Sequence, residues 1–435
     1  RRGPAAPVAL PSTSPPRRRP PDMVTAAQAY WLNRKRRRAR NEGVGVRTMG
    51  IVLNRVQTPN SKSASVTPPF TTLKHHYASG DGDVTDIRCV DVGWYSVPSG
   101  AATLLGNDHT VKRFLEYPVG SGVFHQFKWS GATSVSVPDG GVVKSDVLLN
   151  SVTGQPLVIS KDDMVHERTV ILSSGPAPAI EQASGSIALG IPDGNVAADR
   201  GDNGSISAGA STARFGATAF VGAINSASAR SFVILSDSIG SIGSGDVSGV
   251  GAKGGSGWPA RFLDRYSLPY FKIGGGGVSL YNITGTSLAR IEALLAELEF
   301  SDVLMQLGLN DHTNSRTEGQ IQGDMVTIMG LAAFDGKLRH QSTLLPRSDS
   351  SNGFVDVAGQ TAKTDGTMSV LPTTNAYIRG PAAYINGQLF EVADIGMSAR
   401  DSGVWAAPPA PTTDGVHPNT AMAASIAASL TLDAL

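Results

Sequence analysis

Residues 413–419 read TDGVHPN, with Asp414 three positions before His417 in a stretch stiffened by Gly415 and Pro418. An imidazole with a carboxylate on one ring nitrogen is fixed in one tautomer, and its other nitrogen is then free to take a proton. A plainer reading of the same residues is open: Asp-Gly and His-Pro are turn formers, and Asp414 could cap the helix that the pattern predicts over Asn419–Leu430. Proton chemistry at His417 needs a nucleophile and a place for negative charge elsewhere in the chain.

Three further stretches offer these. SDS (236–238) follows the apolar run SFVIL, so Ser238 comes just past a strand, where its hydroxyl can face solvent. GGGG (274–277) follows YFKI and lets the backbone approach a bound group with its amides unobstructed by side chains. GLND (308–311) follows DVLMQL and presents Asn310, a neutral amide donor. Ser238 as nucleophile, His417 as base, Asp414 as its orienter and a set of amide donors complete the requirements of acyl transfer.

These residues must be set by strands and helices. After residue 229, short apolar runs alternate with helical patterns: a helix opens near Pro259, and TSLARIEALLAELEF places Leu288, Ile291, Leu294, Leu295 and Leu298 on one face. Another helix is predicted around Ile321–Phe334, followed by the strand LRHQSTLLP. That alternation predicts an α/β fold with a parallel sheet, whose active site lies beyond the carboxyl ends of the strands. All three loops named above follow strands.

In these blocks the chain resembles the SGNH hydrolases, also called GDSL esterases and lipases. SDS is similar to their first block, KIGGGGVSL (272–280) to the second, GLND to the third and DGVH (414–417) to the last. The resemblance covers roughly 229–435. It implies a three-layer, flavodoxin-like sandwich and a Ser238-His417-Asp414 triad. It also implies an oxyanion hole made by the Ser238 and Gly277 amides and the Asn310 side chain, with no metal or cofactor. Ser236 stands where the first block usually has glycine, and Gly276 and Gly285 are alternatives to Gly277. The stretch 353–380 reads as a large insertion that shapes substrate access.

Residues 45–228 read differently, as short β-type runs broken by turn signals: RTMGIVLN, DIRCVDVGWYSV, TVKRFLEYPV, VFHQFKW, ATSVSVPDGGVVKSDVLL, QPLVIS and RTVIL. They predict an all-β sandwich of jelly-roll type. The Gly/Ser/Asp-rich stretch 194–212 reads as a long loop or linker. Three domains are therefore expected: a basic tail (1–44), a β-sandwich (45–228) and a hydrolase domain (229–435).

Net charge is +1, yet residues 1–44 carry eleven Arg and Lys against Asp22 and Glu42, leaving 26 basic and 34 acidic side chains in the remainder. The basic stretch can bind anionic surfaces, but the body is acidic, and no nucleic-acid partner is expected. Cys89 is the lone cysteine, so no disulfide can form within the chain. No apolar run reaches membrane-span length and no signal peptide is visible, so localisation stays open, as does oligomeric state. His75-His76 and DGDVTD (81–86) are candidate metal sites, though the latter has Val92 where a calcium loop needs Glu. The chain has no G-x-S-x-G elbow. The expected function is a serine esterase for short acyl groups, acetyl foremost, on alcohols or sugars. The alternatives are a non-catalytic glycan-binding or adhesin protein on the same scaffold, or a lipase or thioesterase for longer chains.

Overall fold

Runs such as FVIL, YFKI and VLM are apolar at almost every position, as in strands covered on both faces. The computed structural model describes residues 46–63, 67–97, 102–181, 194–206, 213–240, 253, 255–380, 384–406 and 411–433. In it these runs form the middle of a six-stranded parallel sheet. Its strands in chain order are β1 (Val56–Gln57), β2 (Phe232–Ser236), β3 (Tyr270–Gly274), β4 (Asp302–Gln306), β5 (Leu338–Ser342) and β6 (Leu389–Phe390). Their order in space is β1-β3-β2-β4-β5-β6, and every neighbouring pair is parallel.

Two consequences follow for a site. Consecutive strands β3 and β4 lie on opposite sides of β2, the switch point at which open α/β sheets bind ligands. Ser236 is in register with Gly274 on one side and Gln306 on the other. The loops after β2, β3 and β4 therefore leave the sheet side by side.

The main helices are α1 (Trp258–Arg265), α2 (Leu288–Ala296), α3 (Leu309–Thr313), α4 (Glu318–Met329), α5 (Leu371–Arg379) and α6 (Thr420–Ser429), beside the short helices Leu280–Asn282 and Val392–Gly396. Thr317 and Gln320 form a capping box that starts α4, satisfying two amides that the first turn leaves unpaired. The predicted Ile321–Phe334 helix is α4 followed by a separate 3-10 turn, Ala332–Phe334. On α2, Ile291, Leu294 and Leu295 are buried as expected; Leu298 is buried just past its end. Helices cover both faces of the sheet, giving a three-layer α/β sandwich. Among the described residues, no helix is long and apolar enough to cross a membrane.

The earlier part of the chain is antiparallel. One sheet joins Thr48–Ile51, Ala219–Ile224, Val84–Val92 and Val142–Lys144, and another joins Val135–Val137, His109–Glu116, Met164–Ile171, Phe70–Tyr77 and Gly194–Val196. QPLVIS, expected to be a strand, makes only single bridges at Pro156 and Ile159; Pro156 has no N–H to give a ladder. Gly194–Val196, expected to begin a linker, instead pairs with Leu73, Thr72 and Thr71. Residues 1–44, expected to be a basic tail, lie outside the described residues.

Buried charge sits inside this part. Arg113 bonds both carboxylate oxygens of Asp91 and one of Glu167, and the other Glu167 oxygen meets His76 Nε2 at 2.9 Å. Burial alone would raise the Glu167 pKa, but the guanidinium and the imidazole hold it well below the usual range.

The two parts belong to one compact unit, Glu42–Leu435. Strand β1 comes from the N-terminal part and closes one edge of the parallel sheet. Farther along the interface, Ser287 Oγ accepts from Ala102 N at 2.6 Å, and Arg290 donates to the Ala102 carbonyl.

Candidate active site

Ser238 stands two residues beyond the end of β2, half-buried in a turn. Asp237 shapes that turn: its Oδ1 accepts from Ile239 N at 2.8 Å, and its carbonyl accepts from Gly240 N at 3.3 Å. Burial raises the Asp237 pKa to about 6, although bonds from Ile239 and the Gln306 side chain favour the anion.

The structure brings His417 and Asp414 to Ser238. Ser238 Oγ lies 2.8 Å from His417 Nε2, and His417 Nδ1 lies 2.7 Å from Asp414 Oδ2. A carboxylate only accepts, so the ring proton sits on Nδ1 and Nε2 is left to accept from the serine hydroxyl. The other Asp414 oxygen accepts from Val416 N at 2.9 Å, His417 N at 2.8 Å and Thr412 Oγ1 at 3.2 Å. Burial would raise the Asp414 pKa, but these bonds override it and hold the group at about 2. The helix cap is a different residue: Asn419 Oδ1 accepts from Met422 N at 2.9 Å to start α6. Asp414 is therefore committed to His417.

The histidine loop is fastened at Gly415. Its carbonyl accepts from Ser348 N and from the indole of fully buried Trp405, each at 3.0 Å. Gly415 has φ 76°, and a Cβ there would lie 1.8 Å from the Ser348 carbonyl oxygen, so only glycine fits. The stretch 353–380, expected to shape access, takes part in holding the histidine loop. The hairpin Ser348–Ser350/Gln360–Ala362, which overlaps it, braces the histidine loop, with Gln360 Oε1 accepting from Trp405 N at 2.9 Å. Trp405 and Ser348 carry no motif and could not be picked out from the sequence.

The glycine loop is a turn in which Val278 N donates to the Gly275 carbonyl at 3.3 Å, with Gly277 third in the turn at φ 73°. Of the alternatives, Gly276 is the exposed residue of that turn, and Gly285 lies away from it in the π-helical turn Ile283–Ser287. Asn310, on α3, donates from Nδ2 to the Val278 carbonyl at 2.9 Å. That amide carries a second hydrogen, which this bond leaves available. The adjacent Asp311 accepts from Leu280 N at 2.9 Å with one oxygen and Tyr281 N at 3.1 Å with the other. Its burial raises its pKa to about 6.

The candidate metal residues are engaged elsewhere. His76 Nδ1 meets the Asn54 carbonyl and its Nε2 meets Glu167. In DGDVTD, Asp81 accepts from Arg230 N, Asp83 from Lys161 N and Asp86 from Arg47.

No family model and no curated protein matches this chain. Many solved structures similar to it are SGNH or GDSL hydrolases. A GDSL-like lipase of Bacteroides thetaiotaomicron is 16% identical, with 46% of this chain and 84% of that one covered at a TM-score of 0.32. A member of the lipolytic G-D-S-L family from Veillonella parvula is 19% identical over 46% of this chain and 94% of that one, at a TM-score of 0.32. A Bacillus subtilis protein is 12% identical and is matched over 82% of this chain and 78% of its own, at a TM-score of 0.32.

Proposed function

We propose that the chain is a serine esterase that hydrolyses short-chain acyl esters, acetyl esters of alcohols or sugars foremost, through Ser238, His417 and Asp414. The observation that carries this reading is the unbroken relay from Ser238 Oγ to His417 Nε2 and from His417 Nδ1 to Asp414 Oδ2, at 2.8 and 2.7 Å.

In this mechanism Ser238 Oγ attacks the ester carbonyl carbon while His417 Nε2 takes the hydroxyl proton, and Asp414 stabilises the imidazolium that forms. Negative charge collects on the former carbonyl oxygen. The Ser238 and Gly277 amides and the Asn310 side chain receive it, a task in which one lost donor costs about 100- to 1000-fold in rate. Collapse expels the alcohol, which leaves with the proton from His417. Water then hydrolyses the acyl-serine by the same route, and no step draws on a cofactor.

The test is a series of p-nitrophenyl esters of rising acyl length, given to the wild type and to Ser238→Ala. Turnover of the acetyl ester that falls off with chain length and vanishes in the variant is expected. Activity that survives in Ser238→Ala would remove the nucleophile. A wild type inert to the whole series would favour a binding protein, and a maximum at long chains a lipase.

A further inference from the structure

The glycine loop begins where the N-terminal part of the molecule reaches the parallel sheet. Thr58 follows β1 and is fully buried. Its N–H donates to the Lys272 carbonyl at 2.8 Å, extending the β1–β3 ladder by one rung. At the next rung the side chain takes over: Gly274 N donates to Thr58 Oγ1 at 3.2 Å, and the same hydroxyl lies 3.4 Å from the Gly274 carbonyl oxygen.

Gly274 has little room to move in the other direction. A Cβ on it would lie 1.7 Å from the carbonyl oxygen of Ser236, two residues before the nucleophile. It is thus caught between the Ser238 turn and Thr58, three residues before Gly277. The segment carrying Thr58 is itself fixed from the antiparallel side. The Pro59 carbonyl accepts from Ser96 N at 2.8 Å, Asn60 N donates to the Ala179 carbonyl at 3.1 Å, and Ser61–Lys62 pairs with Pro178 and Ala179. Asn60 also flanks the loop, its Cβ 3.4 Å from where a Gly275 Cβ would sit.

We infer that Thr58 is a positioning residue for the oxyanion site: through Gly274 it sets the height of the glycine loop against the Ser238 turn. By this route the N-terminal part contributes to catalysis without supplying a group that touches substrate. The inference rests on the esterase reading above. It concerns transition-state stabilisation, because the loop amides are used only once charge develops on oxygen.

The test compares Thr58→Val, which keeps the shape and removes the hydroxyl, with Thr58→Ser, which restores it. Rates are expressed per serine titrated by a phosphonate ester, so that unfolded molecules do not count, and Ser238→Ala is run alongside. Thr58→Val is expected to lower kcat roughly 10- to 100-fold, the scale of a misplacement of about 1 Å, with KM little changed. It should also weaken inhibition by an alkylboronic acid, which mimics the tetrahedral state, by a similar factor. Thr58→Ser should recover most of both. Thr58→Ala takes the place of the valine variant if valine does not fold. A valine or alanine variant with wild-type kcat and wild-type boronate affinity overturns the inference while the esterase reading stands. Equal loss in the serine variant overturns it too, since the hydroxyl would then not be the active feature. An active Ser238→Ala overturns the esterase reading instead.

Discussion

The histidine loop and the glycine loop take their site-forming bonds from different places. In the first, the pairing itself is local: Asp414 bonds the ring of His417 and the backbone of Val416 and His417, all within three residues, and Ser348 and Trp405 only fasten the loop from outside at Gly415. In the second, the loop has no side chains of its own to do the work. It depends on Thr58, 216 residues away, and on Asn310 and Asp311, 32 and 31 residues away. The geometry of a candidate site can thus be written into one short peptide or assembled from remote parts. A short peptide can supply both partners of its own pairing, whereas a bare glycine turn takes its side-chain bonds from outside and each glycine is costly to order.

The largest effects should come from breaking the relay. Ser238→Ala and His417→Ala are each expected to lower kcat by about four to six orders of magnitude, and the double variant by little more, because the pair acts as one unit. Asp414→Asn should cost up to about 10⁴-fold by releasing the imidazole into the wrong tautomer. Kinetics on the three variants, with circular dichroism to check the fold, measure this. Additive losses in the double variant would show two independent contributions and break the relay.

Next in size is the glycine loop. Asn310→Ala is expected to lower kcat about 100- to 1000-fold with little change in KM, and it also frees the Val278 carbonyl. Asp311→Asn should cost less, about 10- to 100-fold. In the amide an NH2 group replaces one of the two oxygens and cannot accept from the backbone N–H, of Leu280 or of Tyr281, that the lost oxygen served, so the loop shifts instead of losing a donor. If Asn310→Ala lowers only the melting temperature and spares kcat, Asn310 merely shapes the loop, and the contrast between the two loops becomes one of stability alone.

This contrast also marks how far the sequence could be read. Asp414 and His417 are legible because both partners of the pair lie within one D-x-x-H peptide. Ser238, the glycine run and Asn310 are legible as residues that follow apolar strands, since a parallel sheet brings strand ends together. The braces were not legible. Thr58 is one threonine among β-type text, and nothing in Val56–Gln57 announces that it joins a sheet whose next strand begins at Phe232. Trp405 and Ser348 are likewise fixed by tertiary packing. QPLVIS failed as a strand for a local reason, its proline, and Gly194–Val196 succeeded for a distant one, the open edge of Phe70–Tyr77.

The smallest expected effect concerns the turn between the two loops. Asp237 carries a pKa raised to about 6 by burial, against about 3.9 for a free aspartate. The fold therefore prefers the neutral acid. This contribution is full below about pH 4 and is lost as pH rises through 6, opposite in sign to that of Asp414, whose value of about 2 makes it lose stability only as pH falls below about 4. Asn at position 237 is neutral at every pH and keeps the oxygen that accepts from Ile239 N. Gln306, whose buried Oε1 has no hydrogen-bond partner, can turn its amide to accept from the new one. Asp237→Asn is therefore expected to fold and to gain on the wild type as pH rises from 4 to 7, by on the order of 1–3 kcal/mol, or a few degrees in Tm. Thermal melts of both proteins across that range measure the difference. A gap that stays constant from pH 4 to 7 would mean that Asp237 is ionised in the fold throughout, and that the bonds from Ile239 and Gln306 outweigh its burial.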